Sequence, residues 1–401
     1  MTYELGPNLM TTTMKKKLIY CLSLMLFISV NTFAQVENVD SAIQQILIEE
    51  KVVGLSIAVV KNNKIIYTNA FGKSNLESGA PLSNKNIFRI ASISKSFSAT
   101  AIMQLIEAGK LDLDEDVSNL VGFPIRHPKY PETVITLRLL MSHMSSINDS
   151  EGYFSLDNIN PAKNPNWQKC YNDYEPGKGY QYCNLNFNMI GTIIERTSGE
   201  RFDQYVKHHI LDPLKLYGGY CVDSLDKTRF ANIYDYNADS AKFIISPNAY
   251  APRSEEISNY TMGYTTPIFS PTGGMKISAT DLAKYMTMHM NYGVYKNGRI
   301  ITRKSAKQMQ MPYSNVENYG FALENTTTMI DGVQLIGHTG SAYGLFSAMF
   351  FDPKKKFGIV VISNGCDPSY SSGYNKVIKR TMNILYDLLI VNIIKTEYKK
   401  R

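Results

Sequence analysis

Between residues 88 and 109, apolar side chains fall at positions 93, 97, 101, 102, 105 and 106. That is the spacing of one buried helical face. It predicts a helix starting near Ser92, with Gly109 as a stop signal after the last turn. Val39 to Lys51 reads as a second amphipathic helix. Gly54–Val60 and Lys64–Phe71 read as a hairpin around Asn62-Asn63. Three more strand-like runs come late in the chain: Met329–Gly337, Gly344–Phe351 and Phe357–Ser363, the last two separated by an Asp352–Lys356 turn. A final helix is expected from Ser372 to Lys395. Its Asp387 and short apolar core fit a sheet-covering helix better than a membrane span.

Strands at both ends with helices between them predict one α/β (α+β) domain over residues 35–401. An antiparallel sheet lobe (35–88 and 301–401) would be flanked by the terminal helices. A mostly helical lobe (89–300) would be inserted, with the site where the lobes meet. No internal repeat or low-complexity segment stands out.

The start of the chain changes the compartment expected. Met14-Lys15-Lys16-Lys17 is a basic segment, Leu18–Val30 is apolar, and Thr32-Phe33-Ala34 offers small residues for a cut after Ala34. This reads as a secretory signal peptide behind a short upstream extension, so a periplasmic or extracellular bacterial protein is expected. No stable membrane insertion is expected once the signal is cleaved. With 42 Lys and Arg against 35 Asp and Glu, the net charge is +7. The charges are scattered, so no nucleic-acid face is predicted. The cysteines after the signal (170, 183, 221, 366) form no disulfide framework, although Cys170 and Cys183 could pair in an oxidising compartment. His208 and His209 are adjacent and point to different helix faces, and no cofactor or metal is predicted.

The candidate chemistry lies at the start of the first long helix. In Ser92-Ile93-Ser94-Lys95 the lysine is one turn beyond the serine, within reach of its oxygen. A helix start also offers free N–H groups and a positive dipole end. Alone, the spacing means little: serine caps are common, and Ser224 to Lys227 repeats it in what reads as a surface turn. Two downstream motifs change the weighing, Tyr182-Cys183-Asn184 and His338-Thr339-Gly340. Tyr67-Thr68-Asn69 and Tyr313-Ser314-Asn315 also match Tyr-x-Asn, but the first precedes the serine and the second has no following helix. Singly, Tyr182 could be a core tyrosine, Asn184 a helix cap and Thr339-Gly340 a strand-end turn. His143 reads as structural.

In this order the three motifs resemble those of the serine β-lactamase and penicillin-binding-protein superfamily, nearest its class C-like, esterase-like branch. Glu175-Pro176-Gly177, Leu139-Leu140-Met141-Ser142-His143 and Pro271-Thr272-Gly273-Gly274 resemble further segments of that family. The resemblance implies a β-lactamase/transpeptidase-like fold and an acyl-enzyme on Ser92. Lys95 and Tyr182 would activate the serine, Tyr182 as phenolate or through Lys95. Asn184 would bond Lys95 and a polar group of the substrate. His338, Thr339 and Gly340 would form the edge strand on which substrate docks, and the main-chain N–H groups of Ser92 and Ser341 the oxyanion hole.

Where β-lactamases of this family carry lysine, this chain has His338. With an ordinary pKa of about 6.5 it is mostly neutral at pH 7, so the anchor for a β-lactam carboxylate is weakened. An esterase or D-amino-acid peptidase-like hydrolase of small ester, amide or peptide substrates is therefore expected ahead of a β-lactamase. An acyltransferase to a small alcohol or amine is the alternative, and a sensor that stays acylated is an alternative of another class. Loops 148–175 and 221–260, rich in tyrosine and asparagine, are expected to wall the pocket.

Overall fold

Strand β1 (Gly54–Lys61) is buried at every position, which a strand achieves only inside a sheet covered on both faces. The computed structural model describes residues 38–314, 317–391 and 393–394. The signal peptide expected at 1–34 and the end of the last expected helix lie outside the described residues. A turn with positive φ at Asn62 (51°) and Asn63 (66°) joins β1 to the edge strand β2 (Lys64–Gly72), the geometry that matches strand twist in a tight hairpin. Helix α1 (38–49) precedes them.

Late in the chain come β3 (Glu324–Thr326), β4 (Leu335–Ala342), β5 (Leu345–Asp352) and β6 (Phe357–Ser363). The sheet order is β3-β4-β5-β6-β1-β2, with every neighbouring pair antiparallel. Side chains alternate across it. Leu55, Ile57 and Val59 face the terminal helices, packing with Val39, Ile43 and Ile46 of α1 and Val377 and Met382 of the last helix (Lys376–Leu385). Ala58, Val60, Val360 and Ile362 face the other way, into the core of the inserted lobe. Ion pairs from Arg380 to Glu49 and Glu50, and from Lys376 to Glu50, join the two terminal helices. The longest helices of the insertion are α2 (Ser94–Glu107), α3 (Asn184–Ser198) and α4 (Ala279–Met290). Among the described residues no helix is long and apolar enough to cross a membrane.

Three expectations change. Of the strand expected at 329–337, residues 329–334 instead lie in and just after a turn around Gly332 (φ 74°). Strand β4 starts only at Leu335 and runs on through the His338 motif to Ala342. Met329, Ile330 and Val333 are buried against the terminal helices, so their apolar character marked burial without pairing. The three-residue, polar β3 carries no alternation that could have announced it. The last helix starts at Lys376, capped by Asn375, whose Oδ1 accepts from Ile378 N at 3.2 Å; the residues before it form a small hairpin.

Phe351 of β5 is fully buried on the side of the inserted lobe, with His289 of α4 stacked over it. Phe351→Ala is expected to lower the unfolding free energy by about 3–5 kcal/mol, read as the shift of a chemical denaturation curve with unchanged slope.

Candidate active site

The chain enters α2 through a strained corner. Ile90 N–H donates to Met275 O (2.9 Å), Ala91 adopts φ 50°, and Ala91–Ile93 form one 3-10 turn. A left-handed φ on a residue with a Cβ is costly and recurs at functional sites. Ser92 sits half-buried in that turn, and α2 begins two residues later. Lys95 then lies over Ser92, its Nζ donating to Ser92 Oγ at 3.1 Å, Asn184 Oδ1 at 2.8 Å and Thr272 O at 3.1 Å. The lysine is wholly buried, with the rings of Tyr182 and Phe187 at 4.7 and 5.7 Å. Burial drives its pKa down to about 7, against the opposing pull of Asp149 and Cys183.

Tyr182 lies just before α3. Burial lifts its phenol far above the ordinary value, while the neighbouring Ser92 hydroxyl acts the other way. The hydroxyl makes no hydrogen bond of good geometry among the described residues. His143 packs its ring 4.4 Å from that of Tyr182, and its Nδ1 accepts from Cys183 N at 3.2 Å. Burial, with the Lys95 charge nearby, holds His143 neutral. Its place is that of a packing residue.

No side chain within α3 caps its first turn; Asp149 does so from a distant loop. Its carboxylate accepts from Asn184 N, Asn184 Nδ2 and Leu185 N, each at 2.9 Å. A carboxylate at a helix start is favoured by the dipole and by the orphan N–H groups. The same contact orients the Asn184 amide. With Nδ2 on Asp149, Oδ1 is left to accept from Lys95 and from Thr272 Oγ1 (2.8 Å). Asn184 therefore bonds Lys95 as expected, but it does not line the cleft beside Ser92.

Strand β4 is drawn onto the Ser92 turn because residue 340 is glycine. A Cβ there would stand 2.3 Å from Ile90 O and 2.5 Å from Ser347 Oγ. Ser347 Oγ donates to Ile90 O at 3.1 Å, tying β5 to the same corner. Ser92, Tyr182, His338, Thr339 and Ser341 thus share one cleft of about 560 Å³. The His338 ring is pinned: Nδ1 bonds Thr339 O, and Nε2 accepts from Tyr319 Oη at 2.8 Å. Burial and the Lys95 charge push its pKa down to about 3, so no cation stands at this position. The cleft's other wall is residues 317–319 and 324–328 with Tyr374, not loops 148–175 and 221–260. β3 pairs with Leu335–Gly337 on the outer side of β4, and Tyr319, just before it, reaches over to His338.

Asp149, Thr272 and Tyr319 were not singled out in the sequence. Thr272 lies in the Pro271–Gly274 segment that carries part of the resemblance, whereas Asp149 and Tyr319 stand in no local pattern. Cys170, Cys183, Cys221 and Cys366 are free, buried thiols; Cys183 donates to Asp149 at 3.2 Å. Among the described residues no group of three or more His, Cys, Asp or Glu is placed to hold a metal ion.

An antiparallel sheet with helices on both faces, its His338-Thr339-Gly340 strand laid against a Ser-x-x-Lys helix start, is the β-lactamase/transpeptidase-like fold. The beta-lactamase family profile matches residues 39–379, and the chain belongs to that family. Protein flp of Staphylococcus aureus (strain MW2) is 25% identical over 347 residues, which cover 82% of this chain and 63% of that protein. The chain thus spans less than two-thirds of that relative's length. A penicillin-binding protein homologue from Pyrococcus abyssi, itself octameric, superposes with a TM-score of 0.69 at 27% identity, covering 88% of this chain and 77% of that one. EstCE1, described as a hydrolase with promiscuous acyltransferase activity, superposes with a TM-score of 0.69 at 21% identity, covering 88% and 100%. At that identity the likeness is one of fold.

Gly340→Ala is expected to push β4 from the Ser92 turn and displace the Ser341 N–H. Labelling by a fluorophosphonate should slow by about 10²–10³ if that N–H serves as an oxyanion donor, the role the resemblance implies, read as intact mass against time.

Proposed function

We propose that this protein is an exported serine acyl hydrolase that opens small ester or amide substrates through an acyl-enzyme on Ser92. The observation that carries the reading is Lys95 Nζ, 3.1 Å from Ser92 Oγ and buried so that it titrates near 7. At neutral pH about half of such lysines are free amines, the form that accepts a proton. In the first half-reaction Ser92 Oγ bonds the acyl carbon and its proton passes to Lys95 Nζ. The oxyanion faces the main-chain N–H groups of Ser92 and Ser341. The bond to the leaving alcohol or amine then breaks, and that group departs with the proton held by Lys95. In the second half, water gives a proton to Lys95 and its oxygen to the acyl carbon; the acid leaves and Ser92 regains its hydrogen.

Burial keeps Tyr182 a phenol. This supports its acting through Lys95, as a hydroxyl that hands the proton towards the leaving group, over acting as a phenolate base. The neutral, Tyr319-bound His338 favours an esterase or peptidase-like hydrolase over a β-lactamase. The likeness to EstCE1 favours a second reading, transfer of the acyl group to an alcohol or amine in place of water. The basic and apolar segments before Ala34 support export.

The test is turnover of 4-nitrophenyl butyrate by the wild type and by Ser92→Ala, with products followed by mass spectrometry with and without added alcohol. Continuous release of acid is expected, at least 10³-fold slower in the variant. Alkyl butyrate appearing with alcohol would mark the transferase. A single stoichiometric burst would mark a sensor, and undiminished turnover by Ser92→Ala would overturn the reading.

A further inference from the structure

The cleft wall across from the nucleophile carries a group that acyl transfer at Ser92 does not use. Glu324 opens β3, paired with Gly337 of β4, and lines the same cleft as Ser92 and Tyr182. Its Oε1 is shut off from solvent and has no hydrogen-bond partner among the described residues. Among them, no lysine, arginine or histidine forms an ion pair with it. Glu324 is half-buried, and a carboxylate with one oxygen enclosed and without a partner is expensive, since its desolvation is uncompensated. Burial and the neighbouring Glu317 accordingly push its pKa up to about 7. Glu324 is near enough to Tyr182 for its charge to act on that phenol.

The surroundings are aromatic as well as acidic. Tyr180, Tyr319 and Tyr374 line this end of the cleft. Two of their hydroxyls are engaged elsewhere: Tyr319 donates to His338 Nε2 and Tyr374 donates to Thr326 Oγ1 at 2.8 Å. What is left for Tyr319 and Tyr374 to offer the cleft is their π-systems, which attract cations. Glu317, exposed at the rim, adds a second negative charge. An anionic ligand group would be repelled here, and the neutral His338 gives it no anchor opposite. A cation in the cleft would meet the half-buried carboxylate that lines it and the rings together.

We propose that Glu324, backed by Glu317 and walled by Tyr180, Tyr319 and Tyr374, is a subsite for a positively charged amine carried by the substrate. The proposal rests on the reading of this cleft as the substrate cleft of Ser92, and it narrows the substrate class to cationic esters and amides. The carboxylate accepts a hydrogen bond from the substrate ammonium and so fixes which way the acyl carbon faces Ser92. No bond to Glu324 forms or breaks.

The experiment is calorimetric titration at pH 8 with 2-phenylethylammonium and with the neutral isostere 2-phenylethanol. The wild type is expected to bind the ammonium at least ten-fold more tightly than the alcohol. The isosteric Glu324→Gln, checked for an unchanged melting temperature, is expected to lose that preference. Equal binding of the two ligands by the wild type, or a preference that survives in folded Glu324→Gln, would overturn the proposal. Because binding is read without turnover, the two readings can fail separately. An ammonium preference with neither ester turnover nor a burst would leave this subsite standing and sink the acyl-enzyme. Turnover of 4-nitrophenyl butyrate without any ammonium preference would do the reverse.

Discussion

The site depends on Lys95 being kept out of water while it touches Ser92. An ammonium in solvent holds its proton to about pH 10.4 and is useless as a base at neutrality. Taking it out of water disfavours the charged form, and here that moves the group to about 7. Three separate parts of the chain close over the amine: the Ser92 turn, the start of α3 through Asn184, and the Thr272 carbonyl. The same desolvation sets the sign of its effect on folding. The folded pKa lies below the unfolded one, so protonated Lys95 costs stability at and below neutral pH, and the cost is relieved as pH rises from about 7 towards the unfolded value.

The fold serves this arrangement by bringing sequence-distant segments to one corner. The sheet is assembled from both ends of the chain, with β6 beside β1, so the Ser92 turn that follows β2 comes to rest against β4. Contact is possible only because Gly340 has no side chain to keep the strand away from Ile90. Asp149 does comparable work on the other flank. By capping α3 from outside, it decides which end of the Asn184 amide meets the lysine.

Much of this was legible in the residues. The hairpin at Asn62-Asn63 and the run Phe357–Ser363 are apolar stretches of strand length. The helix carrying Lys95 follows a helical spacing, although it is buried on nearly every side and starts two residues after Ser92. Ser92, Lys95 and Tyr182 were recognisable because motif order adds information that no single motif holds, and they do converge. Boundaries failed where burial and pairing part company: Met329, Ile330 and Val333 are apolar and enclosed, yet belong to a turn. Asp149, Tyr319 and Glu324 were invisible for a different reason. A lone polar residue in a loop acquires meaning only from what the fold places beside it, and local spacing holds no record of that. The pocket walls were misplaced likewise, since tyrosine-rich composition in 148–175 and 221–260 says nothing of which loop borders the cleft.

The account is tested most directly by titrating Lys95 itself, following the 13Cε resonance of 13C-lysine-labelled protein assigned by its loss in Lys95→Arg. A midpoint near pH 7 is the predicted result. A midpoint near the ordinary 10.5 would contradict the claim that burial makes this amine the base for Ser92.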